Sequence, residues 1–308
     1  MEKNVKLFDK NHFLILKAIA IIAIMIGHVG NFSGKTWFTP LGGFGVAIFL
    51  FCSGYGLSVS AKNGGVDRYW TKKFINVYVP FFIIEVIAAL ILNRNFKTFI
   101  LDIAFIDISH PYGWYMQYIF ICYLLFYIAF KFIKNQKSII VVFLLLGILS
   151  FFIFKNLQAE QALSFAVGIA AANYEKIKQI QKTKLFILGL VLIIIGISFL
   201  AIKQMPNIRA LNHYVITLLN LIIKLFTAIG VVFISYSLSV LFGFLTPVGK
   251  ISYELYLVHG YVIVIVSKNI FKNFVLNSFI FLLVVLFISW IFYLINSQIK
   301  KLLNKINI

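Results

Sequence analysis

KAIAIIAIMIGH, residues 17–28, sits inside an apolar stretch that runs from about His12 to Gly30 and carries no charge between its two end residues. Lys17 and His28 stand eleven positions apart. At 3.6 residues per turn that is almost three whole turns and roughly 16 Å of rise, so the two side chains share one helix face at different depths. Holding an ionisable group in hydrocarbon costs at least ~2.5–3.5 kcal/mol, which is why such residues are read first as lining a cavity or a reaction path. The plainer alternative is that Lys17 snorkels to one interface while His28 rests near the other with a single satisfied hydrogen bond. The pair alone leaves both readings open.

Composition extends this reading to the whole chain. Of the 308 residues, 62% are hydrophobic and 12% are charged, with a mean hydropathy of +0.98. Soluble domains carry about 25% charged residues, so the chain is read as an all-α, polytopic integral membrane protein. The N-terminus, MEKNVKLFDKNHF, is basic, but Ile26-Gly27-His28-Val29-Gly30 offers no small-x-small cleavage site, and the first helix is expected to be retained. Cys52 and Cys122 fall in apolar helices with no spacing suited to a disulfide or a metal, and read as small buried hydrophobes.

Apolar stretches of bilayer-spanning length number ten, over 12–32, 42–61, 74–92, 112–132, 138–154, 159–175, 184–203, 219–242, 251–268 and 276–299. Asn95 to Ile108, with Asp102 and Asp107, reads as a short interfacial helix, and 205–218 is too polar for a span. No connecting loop is long enough for a soluble domain, so one transmembrane domain over 1–308 is expected. Basic residues accumulate on the cytoplasmic side of membranes. With both termini cytoplasmic, Lys3, Lys6, Lys10, Lys17, Lys62, Arg68, Lys72, Lys73, Lys131, Lys134, Lys137, Lys176, Lys178, Lys182, Lys184, Lys250, Lys300, Lys301 and Lys305 face inward. The outer segments then hold fewer: Lys35, Arg94, Lys97, Lys155, Lys203, Arg209, Lys268 and Lys272, with Lys224 near a membrane boundary. The net charge of +19 is thereby explained by topology and anionic lipid, with no nucleic acid among the expected partners.

Four further stretches bear on function together with the first helix. They are GGFGVAIFLFCSGYGL at 42–57, RYWTKKFINVYVPFF at 68–82, GWYMQYIFICYLLFY at 113–127 and VGKISYELYLVHGYV at 248–262. The Lys17-to-His28 run resembles the first-helix motif of the membrane acyltransferase 3 family, a basic residue followed after ten residues by His. The four others resemble, in order, that family's second helix with its Ser53-Gly54-Tyr55 step, its basic entry to the third helix with Tyr78 and Pro80, its Trp-led fourth helix, and a late Ser-Tyr-x-x-Tyr-Leu-x-His segment. Aromatic and glycine steps are common in membrane helices, so the weight lies in their shared order across nearly the whole chain.

The resemblance implies transfer of an acyl group, usually acetyl, from cytoplasmic acyl-CoA to a hydroxyl of a glycan or lipid-linked sugar, in a bacterial cytoplasmic membrane and with no metal. A neutral imidazole accepts a proton near pH 7, so His28 is the expected general base, with Lys17 and Glu85 as further catalytic candidates. Glu85 is a lone carboxylate between Ile and Val and needs a partner; pairing with Lys17 or orienting His28 are the options considered. Donor phosphates call for cations, and Arg68, Lys72, Lys73 and Asn76 are the expected coenzyme-binding group. Plain positive-inside topology is the competing reading.

This chain departs from the family pattern at two points. It has Lys17 where Arg is usual, and Lys73 with Asn76 where two arginines are usual; lysine binds phosphate as a point charge without the bidentate fork. Trp114, Tyr115, His110 and His259 are the acceptor-binding candidates, set against an ordinary aromatic belt and a satisfied structural histidine. Ser53 and Ser252 lack an adjacent His and carboxylate, so direct transfer without a protein nucleophile is expected. The acceptor stays open among capsular or secreted polysaccharide, cell-wall polymer and glycolipid, with a surface polysaccharide or its lipid-linked unit favoured. A transporter or flippase of a lipid-linked sugar is the alternative function, and a non-catalytic assembly partner a third. The carboxylates within spans, Glu85 and Glu254, are few for a carrier path, which favours the enzyme.

Overall fold

The computed structural model describes residues 9–110, 112–133, 135–154, 156–174, 180–267 and 274–305, and among them every regular element is helical. The helices are α1 (Lys10–Phe32), α2 (Thr39–Gly64), α3 (Tyr69–Ile91), α4 (Phe96–Ile103), α5 (Trp114–Phe132), α6 (Gln136–Ile153), α7 (Ser164–Asn173), α8 (Lys182–Gln204), α9 (His213–Ser237), α10 (Ser252–Ser267) and α11 (Phe274–Lys305). Eight of these are long and apolar enough to cross a membrane, and the chain is an all-α multi-pass membrane protein.

Those eight match eight of the ten expected spans. The other two are shorter helices: α7 has 10 residues and α10 has 16. Ahead of α7 the polar sequence Gln158 to Gln161 folds into tight turns, with bonds from Gln161 N–H to the Gln158 carbonyl (2.9 Å) and Ser164 N–H to the Gln161 carbonyl (3.0 Å). Residues 175–179 and 268–273 lie outside the described residues, as do the basic positions Lys3, Lys6, Lys134, Lys155, Lys176, Lys178, Lys268 and Lys272. Helix α9 begins at His213, inside the stretch expected to be non-spanning, because the Asn212 side chain accepts from Tyr214 N–H at 2.9 Å and caps it. The interfacial helix is present as α4, capped by Asn95, whose side chain accepts from Thr98 N–H at 2.8 Å.

Contacts divide the chain into two compact units. The first comprises residues 1–28, 37–65 and 128–250, and holds α1 as far as His28, α2 and α6 to α9. Helix α2 lies close along α7, and α8 along α9. At the α2–α7 contact, a β-carbon on Gly54 would strike the Phe165 carbonyl, and one on Gly168 would strike the Phe51 carbonyl. Small residues let helix backbones approach in lipid, where no hydrophobic force drives helices together.

The second unit comprises residues 29–36, 66–127 and 251–308, and holds α3, α4, most of α5, α10 and α11. Helix α3 contains a π-helical turn at Phe74–Tyr78. Such turns leave carbonyls without their usual partner, and here the Tyr253 hydroxyl of α10 donates to the Val77 carbonyl at 2.7 Å. Helix α10 packs along α11, where the Asn296 amide donates to Glu254 Oε1 at 3.2 Å.

Candidate functional site

In the first unit, Lys17 and His28 both sit on α1 and are half-buried. The backbone around His28 is pressed onto α2: a β-carbon on Gly27 would stand 2.6 Å from the Gly42 nitrogen, and one on Gly42 would stand 3.9 Å from His28 Cε1. The imidazole therefore faces the side of α2 on which Gly42 carries no side chain. The next glycine faces a different group. A β-carbon on Gly43 would stand 3.1 Å from Lys224 Nζ.

Lys224, left at a membrane boundary by the sequence reading, is the half-buried cation of a polar network. Its ammonium pairs with Glu160, whose other oxygen accepts from the Asn220 amide at 2.7 Å. The Asn220 carbonyl oxygen accepts from Lys203 Nζ at 2.7 Å, and Gln161 donates to the Gly43 carbonyl at 3.0 Å.

A second network fills the other unit. Glu85 is 2% exposed and Asp102 is fully buried. Arg94 donates to both, at 3.0 Å to Glu85 Oε2 and 2.8 Å to Asp102 Oδ2. The remaining Glu85 oxygen accepts from the Tyr261 hydroxyl at 2.5 Å. Asp102 also accepts from Ser109, through its N–H at 2.6 Å and its hydroxyl at 2.8 Å. The partners that Glu85 requires are therefore Arg94 and Tyr261. Both bonds come from one guanidinium nitrogen, Nη1, whose two protons serve the two carboxylates.

Two histidines extend this network. The His110 ring lies 4.2 Å from that of Tyr261, and its Nδ1 accepts from Tyr112 N–H at 3.0 Å. That bond places the proton of the neutral ring on Nε2, which faces Gly260. Burial first, then the neighbouring His259, push the His110 imidazole down to about 3. His259 is fully buried and its Nδ1 lies 2.6 Å from the Tyr256 carbonyl. A carbonyl only accepts, so Nδ1 carries the proton and Nε2 is the basic nitrogen of the neutral ring. Tyr256 donates its hydroxyl to the Tyr112 carbonyl at 2.6 Å, closing a compact group of tyrosines and histidines.

The remaining acceptor-binding candidates border this group. Tyr115 is 7% exposed and meets Tyr256 edge-on at 5.1 Å, while Trp114 is the more open of the pair. Of the coenzyme-binding candidates, Arg68, Lys72 and Asn76 lie on the surface at the start of α3, and Lys73 turns inward. Lys73 Nζ stands 3.9 Å from the centre of the Tyr123 ring, a cation–π contact. The Asn76 amide donates to the Lys72 carbonyl at 2.9 Å. Arg68 holds a left-handed backbone with φ of 55°, a strained conformation for a residue with a side chain.

Sequence reasoning missed Arg94, Asp102, Ser109 and Tyr261 in one unit, and Glu160, Asn220 and Lys224 in the other. One signal was available: among 28 basic residues only three are arginine, Arg68, Arg94 and Arg209. An arginine kept in a lysine-rich chain marks a place where its fork is needed. Asn220 stands one turn before Lys224 on α9, but Glu160 and Lys203 come from other stretches, and no spacing announces them.

Comparison with curated proteins and with solved structures gives no match. The sequence model of an acyltransferase domain matches residues 12–294, from the first turn of α1 well into α11. The chain belongs to the acyltransferase 3 family.

Proposed function

We propose that this protein moves an acyl group, acetyl in the first instance, from acyl-CoA onto a hydroxyl of a bacterial surface polysaccharide or its lipid-linked unit. The family match, which takes in the helix bearing His28 and covers residues 12–294, carries this reading. In it, the neutral His28 ring removes the proton from the acceptor hydroxyl as that oxygen attacks the thioester carbon, and returns it to the departing thiolate. Arg68 and Lys72, exposed at the start of α3 with Asn76, meet the phosphates of the coenzyme on the cytoplasmic side. Lys73 braces that end of α3 through the Tyr123 ring.

The acceptor lies at the other side of the membrane, over Trp114 and Tyr115 and towards His110 and His259. Glu85 belongs to that side, held by Arg94 and Tyr261, and it shapes the polar wall. Lys17 lines the path along α1.

The test is the O-acetyl content of purified surface glycan, by proton NMR, from cells with the intact protein, a deletion and His28→Ala at equal membrane abundance. Loss of the acetyl signal in both deletion and variant is the expected result. A fall in glycan amount with acetylation per repeat unchanged means a carrier, and removes His28 from the chemistry.

A further inference from the structure

Lysine within a membrane-length helix is costly unless it serves a purpose. Lys224 lies eleven residues beyond the start of α9, and its side chain is 12% exposed. Its network holds two ammonium groups, Lys203 and Lys224, against the single carboxylate of Glu160. A partly enclosed site with more lysines than carboxylates favours an anion or a group that becomes one. The amine also has an assigned position. It rests over Gly43, where any side chain would displace it, while a β-carbon on the neighbouring Gly42 would stand 3.9 Å from His28 Cε1. Gln161 holds the Gly43 carbonyl at 3.0 Å, so the backbone between the two groups is itself anchored.

We propose that Lys224 stabilises the oxyanion of the acyl-transfer step, positioned by Glu160 and Asn220 across the Gly42-Gly43 backbone from His28. The inference rests on the acyl-transfer reading above. As the acceptor oxygen bonds to the thioester carbon, the carbonyl electron pair moves onto its oxygen, which the Lys224 ammonium receives as a hydrogen-bond donor. The tetrahedral intermediate then collapses. The carbon–oxygen double bond re-forms, the carbon–sulfur bond breaks, and the thiolate takes from His28 the proton that the hydroxyl gave up. Glu160 and Asn220 are positioning residues, since they act through the lysine.

The experiment uses membrane vesicles bearing the full-length protein at matched abundance, with radiolabelled acetyl-CoA, and follows label into the glycan and glycolipid fraction. Removing one preorganised oxyanion donor costs about 100-fold or more in kcat. Lys224→Met is expected to lower kcat by that factor with the KM for acetyl-CoA within about threefold of the intact protein. Lys224→Arg, which keeps the charge and moves it, is expected to fall about tenfold with KM unchanged, and decides the matter if the methionine variant does not reach the membrane. A kcat retained within about threefold in either variant overturns the proposal, as does a raised KM with kcat intact, which makes Lys224 a binding group. If the intact protein transfers no label at all, the acyl-transfer reading fails first and takes this inference with it.

Discussion

Arg94 is the cation that joins two buried carboxylates, Glu85 and Asp102, whose remaining bonds come from neutral donors, Tyr261 and Ser109. Removing one partner from a buried ionic group costs about 3–5 kcal/mol, because the charge left behind is neither solvated nor paired. Arg94→Ala is therefore expected to lower the detergent-solubilised protein's unfolding temperature severely, and Arg94→Lys to lower it by about half as much. Equal melting of all three forms would show that the network does not contribute to stability. His110 offers a pH test. Its unfolded value is 6.5 and burial holds it at about 3 in the fold. Between those limits the unfolded chain binds a proton that the folded chain does not, so its contribution to stability is complete above pH 6.5 and declines as pH falls towards 3. Acidification from pH 7.5 to 4.5 should destabilise the intact protein more than His110→Asn, in paired thermal melts. Glu85 and His110 were visible in the sequence as ionisable residues in unusual places. Their partners were not, because a side chain's neighbours across elements follow from helix rotation, which periodicity leaves undetermined.

At the scale of elements, apolar length predicted the membrane-length helices well, since lipid requires every backbone group to bond within its own segment. It predicted boundaries less well where a cap overrides hydropathy, as Asn212 does for α9. It also overran at 159–175, where a stretch apolar on average contains the buried turn that carries Glu160 and Gln161. The α2–α7 contact depends on two glycines whose missing side chains admit the facing carbonyls of Phe165 and Phe51. Inserting bulk into such a contact typically costs about 1–3 kcal/mol. Gly168→Val should lower thermal stability by that amount, while Gly56→Val on the same helix as Gly54, with open space around it, should change little. Similar losses at both positions would count against the close-packing account.

For the whole molecule, the distribution of Lys and Arg predicts a sidedness that can be measured. Single cysteines placed at Lys97 and Arg209, in a background without Cys52 and Cys122, should react with a membrane-impermeant maleimide on intact cells. Cysteines at Lys137 and Lys184 should react only after permeabilisation. Labelling of the second pair from outside would reverse the orientation and move the proposed coenzyme-binding end of α3 to the wrong face. Hydropathy, charge asymmetry and ordered motifs determined the class of protein, the helical content and the family, because each is a property of residues counted along a chain in a solvent that permits few structures. Tertiary structure alone decided that Glu85 answers to Arg94 and Tyr261, and that Lys224 stands beside His28's helix contact at Gly42-Gly43. Glu85 and Tyr261 stand 176 residues apart along the chain, and only packing brings such distant segments within hydrogen-bonding distance.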